Sequence, residues 1–150
     1  MEGEEILNSI IDKTLEDGRI QSFILNGELV DRINVTFLKF NKWINIVSTD
    51  EITTVRIEES SFENIKSYGD KKFYYPIEQT KIYFPEFEKY IGKKLFKWKE
   101  LVWTKDKKLS FGINLYFENN LNLIIHNQDY PIDKNQYIFK NSIPKDLIEK

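Results

Sequence analysis

Hydrophobic and polar positions follow two periods along this chain, first that of a helix and then that of strands. Ile6, Leu7, Ile10, Ile11 and Leu15 recur at spacings of three and four, which puts them on one stripe of a helix within residues 4–15. Glu4 and Glu5 suit the positive end of its dipole, and Gly18 is placed to end the helix and turn the chain. Beyond it the period falls to two. Residues 20–25 form an apolar run stopped by Asn26-Gly27, a strong hairpin signal. Residues 32–40 set Ile33, Val35 and Phe37 against Asn34 and Thr36, and after Asn41-Lys42 the run 43–48 sets Trp43 and Val47 against Ile44 and Ile46. Thr49-Asp50-Glu51 then turns the chain into 52–58, which has the Thr, Val and Ile content of a strand.

The same order returns in the second half. Pro85 opens and Gly92 closes a short helical pattern with Phe87, Tyr90 and Ile91 on one face. Strand patterns follow at 94–104, 109–118, 121–126 and 136–140, with a charged turn at 105–108 and an Asn119-Asn120 turn between the second and third. Ile33-Asn34-Val35-Thr36-Phe37 matches Ile113-Asn114-Leu115-Tyr116-Phe117 at an offset of 80 residues. The predicted fold is α+β: a mainly antiparallel sheet of about eight strands with two or three short helices, in one domain over residues 1–150. Its two tandem helix-plus-four-strand halves, 4–59 and 85–141, are joined by an aromatic-rich connection, 60–84. That connection offers a capping-box start at Ser60 to Glu63, a loop tip at Tyr68 to Lys72, and the aromatic run Phe73-Tyr74-Tyr75. Ser142 and Pro144 fit the start of a final short helix.

Composition narrows the chemistry. The chain has no cysteine and no alanine, one histidine, and 11 Phe, 8 Tyr and 3 Trp. Disulfide frameworks, thiol nucleophiles and multi-histidine metal centres are excluded, and bulky residues that favour a pleated surface replace the best helix former. No apolar run is long enough for a membrane-spanning helix, and the acidic N-terminus lacks the form of a signal peptide, so a cytoplasmic protein is expected. The net charge of −2 hides a division: residues 1–65 carry net −7 and residues 66–109 net +6. A charged pole of this kind either complements the rest of the fold or steers a macromolecular partner.

Phosphate-binding glycine loops and nucleophile motifs are absent, and no cofactor or metal is called for. His126 lacks a neighbouring partner in sequence and reads as structural or merely exposed. The carboxylates Asp50, Glu51, Glu58, Glu59, Glu63, Asp129 and Asp133 match no calcium-loop or nuclease spacing and read chiefly as turn and surface polarity. Asp50-Glu51 and Glu58-Glu59 flank one strand and fit an acidic rim for a basic partner. With Tyr74, Tyr75 and Trp103 they form the candidate partner-binding set. In the strand 94–105, Phe96, Trp98 and Val102 are expected on one side and Lys97, Lys99, Trp103 and Lys105 on the other. The second group is the alternative surface, suited to single-stranded nucleic acid through phosphate contacts and base stacking, although strand lysines also serve as ordinary edge protection.

The stretch Ile91-Gly92-Lys93-Lys94-Leu95, then 111–119 and 121–127, resembles small bacterial proteins of the toxin-immunity kind, in which a Gly-Lys strand start precedes a Gly-Ile-x-Leu-x-Phe strand and an Asn-containing turn. The resemblance covers about the last 60 residues. It implies a non-enzymatic cytoplasmic protein that binds and blocks a cognate toxin, and it carries no catalytic residue.

Overall fold

A computed structural model describes residues 1–59, 67–128 and 134–150. The expected capping box at Ser60 to Glu63 and the carboxylates Asp129 and Asp133 lie outside those residues. The mainly antiparallel sheet is present, among the described residues as twelve strands in two sheets. In the first, β1 (Asp17–Leu25), β2 (Glu28–Lys39), β3 (Trp43–Thr49) and β4 (Ile52–Ile57) form a meander. Three short strands extend it: β5 (Tyr68–Gly69), β6 (Phe73–Tyr75) and β7 (Ile77–Gln79). The order is β4-β3-β2-β1-β6-β5, with β7 paired further along β1. In the second sheet β8 (Leu95–Trp103), β9 (Ser110–Phe117), β10 (Leu121–Gln128), β11 (Lys134–Ile138) and β12 (Leu147–Glu149) take the order β11-β10-β9-β8-β12.

Turn chemistry fixes the meanders. Asn26 and Gly27 take φ of 50° and 82°, and Asp50 and Glu51 take 50° and 64°, so both two-residue loops have the left-handed pairs that match strand twist. The sheets pack face to face. Leu38, Ile44, Ile46 and Val55 from the first meet Ile113, Leu115, Phe117, Leu123 and Ile125 from the second in one buried cluster. The helix α1 (Glu4–Ser9) adds Leu7, and Ile10 follows it. The 3₁₀ segment Pro85–Tyr90, which comes after the short helix α2 (Thr80–Tyr83), adds Phe87 and Tyr90. Tyr137 on β11 reaches across to β2, where its hydroxyl lies 2.6 Å from Thr36 Oγ1.

Several expectations are corrected. The first helix stops at Ser9, because residues 12–15 are drawn into extended pairing with 92–95: Asp12 N–H donates to Leu95 O at 2.7 Å and Leu15 N–H to Lys93 O at 2.9 Å. Six helical residues with no side-chain cap have little intrinsic stability to oppose that pairing. Gly18 does not end a helix; it lies in β1, where the Phe87 ring packs so closely that an added Cβ would sit 2.3 Å from it. The connection 60–84 contributes three strands rather than acting only as a linker. Ser142 and Pro144 start no helix: Leu147 N–H donates to Pro144 O at 3.0 Å, and the chain then pairs with the free edge of β8 as β12. That edge carries unpaired backbone groups, and a short strand satisfies them.

Candidate functional site: an aromatic end of the first sheet

Two hairpins meet at one end of the first sheet. The β1–β2 hairpin ends at Asn26-Gly27, and the β5–β6 hairpin lies beside it, with Ile24 opposite Tyr74 and Leu25 opposite Phe73. Asn26 N–H donates to Lys72 O at 2.8 Å, tying the tips together. The second tip is built by Asp70, whose Oδ1 accepts the N–H groups of Lys72 at 2.7 Å and Phe73 at 2.8 Å; these donors hold its carboxyl below the usual value. Gly69, with φ of 120°, brings its backbone so near Phe73 that any side chain would collide with the Phe73 carbonyl.

On this frame four rings form a row. Tyr68 stacks on Tyr75 at 4.9 Å between centroids, Tyr75 on Phe23 at 5.2 Å, and Phe23 on Phe73 at 6.4 Å. The row is not buried: Tyr68 is 54% exposed and Phe73 42%. On the opposite face of the same strands Tyr74 and Leu29 are exposed at 39% and 45%, and Val30 is exposed close by. Lys71 and Lys72 stand at the tip, the latter with its ammonium 5.2 Å from the Phe73 ring.

Beside the row a cleft of about 200 Å³ opens at the edge of the two-sheet interface, with Phe23, Val30, Asp31, Asn34, Asn127 and Asn135 in its wall. Its polar groups are paired. Asn135 Nδ2 donates to Asp31 Oδ2 at 3.3 Å, Asn127 Nδ2 to Ser48 O at 3.3 Å, and Asn34 Nδ2 to Gln21 Oε1 at 3.0 Å. Burial raises the Asp31 carboxyl above its ordinary value, against the hydrogen bonds it accepts from Ile33 N–H and Asn135. Paired amides support the hairpins; they leave little reactive capacity.

The seven residues expected to bind a partner are not brought together. Tyr74 and Tyr75 lie in the aromatic end. Asp50 and Glu51 occupy the β3–β4 turn, where Glu51 O accepts Ser110 N–H at 2.8 Å, whereas Glu58 and Glu59 follow the far end of β4. Six strand residues separate the pairs, roughly 20 Å, so they do not make one acidic rim. Glu58 is further engaged by Asn45 Nδ2 at 3.3 Å. Trp103 belongs to the other sheet. Phe73, part of the same aromatic run, and Tyr68, at the expected loop tip, belong to the exposed end as well; Phe23, Leu29 and Val30 complete it, and only the pairing of the two hairpins marks these three, because their separation in sequence hides their proximity.

The alternative set is partly assembled. Lys97, Lys99 and Trp103 alternate with inward-facing Trp98, Glu100 and Val102 on β8, and Lys105 follows the strand with its ammonium 5.4 Å from the Trp103 ring. A bulge between Leu95 and Lys97 overturns the expected placement of Phe96, which is 50% exposed and packs against Tyr116 instead of joining Trp98. Lys97 lies 4.8 Å from the Tyr116 ring, and the same face holds Glu149, which accepts hydrogen bonds from Asn114 and Tyr116.

Among the described residues no three His, Asp or Glu side chains converge as a metal site, and no helix is long and apolar enough to cross a membrane. Compared with known proteins, the chain matches no family, no curated protein and no solved structure.

Proposed function

We propose that this chain is a non-enzymatic protein-binding module whose contact surface is the aromatic end of the first sheet. Within that class we read it as a cytoplasmic immunity protein that binds and neutralises a cognate bacterial toxin. The observation that carries the reading is the row Tyr68, Tyr75, Phe23 and Phe73, ordered by stacking yet partly open to solvent. Exposed apolar groups gathered at one end of a fold mark contact surfaces, and aromatic side chains contribute most of the energy in such contacts. Rings already held by their neighbours lose little freedom on binding, which favours affinity. Lys71 and Lys72 at the tip suit a partner with an acidic margin.

The finer reading of the fold, two tandem halves at 4–59 and 85–141 in one domain, rests on topology: each half places a short helical segment before a four-strand meander. The five-residue match at offset 80 does not carry it. Ile113, Leu115 and Phe117 line the inter-sheet core, whereas Leu38 and Thr36 take that side of β2 and Phe37 faces away.

Expression of the chain together with a toxin encoded beside it tests the function. Growth is restored by the unaltered chain and lost with Phe73→Ala/Tyr74→Ala. A chain that protects against no adjacent toxin contradicts the reading.

A further inference from the structure

The second sheet carries a separate pocket on the face turned away from the core. It holds about 210 Å³, larger than the roughly 150 Å³ cavity that accepts benzene. Trp103, Phe111, Pro144 and Leu147 give it apolar walls, and His126, Gln128 and Asp146 give it polar ones. Gly112 lies opposite His126 on the neighbouring strand; with φ of 148° and a Cβ position only 2.1 Å from Ile125 O and 2.6 Å from His126 Cα, it has no room for a side chain, which lets β9 pass close to the His126 backbone.

His126 is only 4% exposed, and its Nε2 is buried without a hydrogen-bond partner. Its protonation follows from its other nitrogen. Nδ1 lies 3.2 Å from the carbonyl oxygen of Asn127, which can only accept, so Nδ1 carries the hydrogen and Nε2 is left as a bare acceptor. Burial also pushes the imidazole below its ordinary value, in keeping with the neutral ring. An unpaired buried acceptor costs stability, and a ligand bringing an N–H to it removes that cost.

The pocket's neighbour supplies the other half of the chemistry. The β8–β9 turn begins just after Trp103 and presents Lys105, Lys107 and Lys108, all exposed. Asp106, the one acid in the turn, accepts the Lys108 N–H at 3.0 Å and so shapes the loop from within. Three lysines beside an aromatic slot match an anionic group attached to a flat ring.

We propose that this pocket binds a nucleoside monophosphate, the base lying against Trp103 and donating a ring or amino N–H to His126 Nε2 as the imidazole turns to uncover that nitrogen to the pocket, and the phosphate reaching the lysines of the 105–108 turn. The site lies on the other sheet from the aromatic end and stands whether or not that end binds a toxin.

The test is a titration of the full chain with each of the four nucleoside monophosphates, followed by the imidazole C–H signals of His126, which are unambiguous because it is the only histidine. The expected result is saturable displacement by at least one of them. His126→Phe, which keeps a ring but removes the acceptor, weakens that binding about tenfold, the worth of one well-made hydrogen bond. Lys105→Ala/Lys107→Ala/Lys108→Ala weakens the monophosphate and leaves the corresponding nucleoside unchanged. If His126→Phe fails to fold by circular dichroism, the exposed lysine variants and the signals of the unaltered chain decide. The proposal is overturned by unmoved imidazole signals at millimolar ligand. Ribose 5-phosphate or inorganic phosphate binding as tightly as the nucleotide also overturns it, as does a short oligonucleotide displacing the monophosphate at far lower concentration.

Discussion

Gly18→Ala probes the packing of the 3₁₀ segment against the first sheet. The added methyl would lie 2.3 and 2.4 Å from two carbons of the Phe87 ring, closer than such atoms can approach. Phe87 is 2% exposed and belongs to the central cluster with Leu38 and Tyr90, so the ring cannot swing into solvent and must displace core neighbours. Overpacking of this kind costs about 1–3 kcal/mol. Replacing glycine also reduces the freedom of the unfolded chain, which returns about 0.4–1 kcal/mol. The expected net loss is about 1–2 kcal/mol. With urea slopes of roughly 1–3 kcal/mol/M for small proteins, the unfolding midpoint falls by about 0.3–2 M. Phe87→Leu should relieve the clash, so the two changes together cost less than the sum of the singles by about 1 kcal/mol in a double-mutant cycle. A Gly18→Ala variant within about 0.5 kcal/mol of the unaltered chain, or strict additivity with Phe87→Leu, would refute this packing.

Two further outcomes follow from the buried polar groups. The lowered His126 value means that the unfolded chain takes up a proton, as pH falls through about 6.5, before the folded chain does; the stability from this group is therefore full above that pH and declines below it. Unfolding free energies from urea titrations between pH 7.5 and 5.5 should fall with a slope of at most about 1.4 kcal/mol per pH unit from this group, and His126→Phe should flatten the curve. Tyr137→Phe leaves the Thr36 hydroxyl buried without its partner and should cost about 1–2 kcal/mol in the same assay, with the sheet content by circular dichroism unchanged.

Local chemistry made the meanders legible. Asn-Gly, Asp-Glu and Asn-Asn punctuate period-two runs, and their left-handed φ values are what those turns require. The alternation of Phe111, Ile113, Leu115 and Phe117 predicted β9; Ile113, Leu115 and Phe117 line the core together, whereas Phe111 departs from that face and packs with Leu101 and Ile124 on the outer side of the sheet. Features set by distant backbone were not legible. Residues 12–15 carry a helical spacing, but 92–95 offer them extended pairing. β5, β6, β7 and β12 are two or three residues long, too short to show a period, and exist because β1 and β8 have edges to cover. A single bulge moved Phe96 across the sheet. The candidate site divides in the same way. Tyr74 and Tyr75 stood out as a run, whereas Phe23 and Leu29 joined them only through hairpin pairing, and the strand between the two acidic pairs kept them apart.

The affinity of the purified chain for the product of any neighbouring toxin gene, the partner proposed above, measured by calorimetry with and without Tyr68→Ala/Phe73→Ala/Tyr74→Ala, tests the central claim most directly. All three residues are exposed, so the variant should keep its fold. The account predicts a stoichiometric complex that weakens by about 100-fold or more when the rings are removed. A complex of undiminished affinity in the folded variant, or no complex with the unaltered chain, would contradict it.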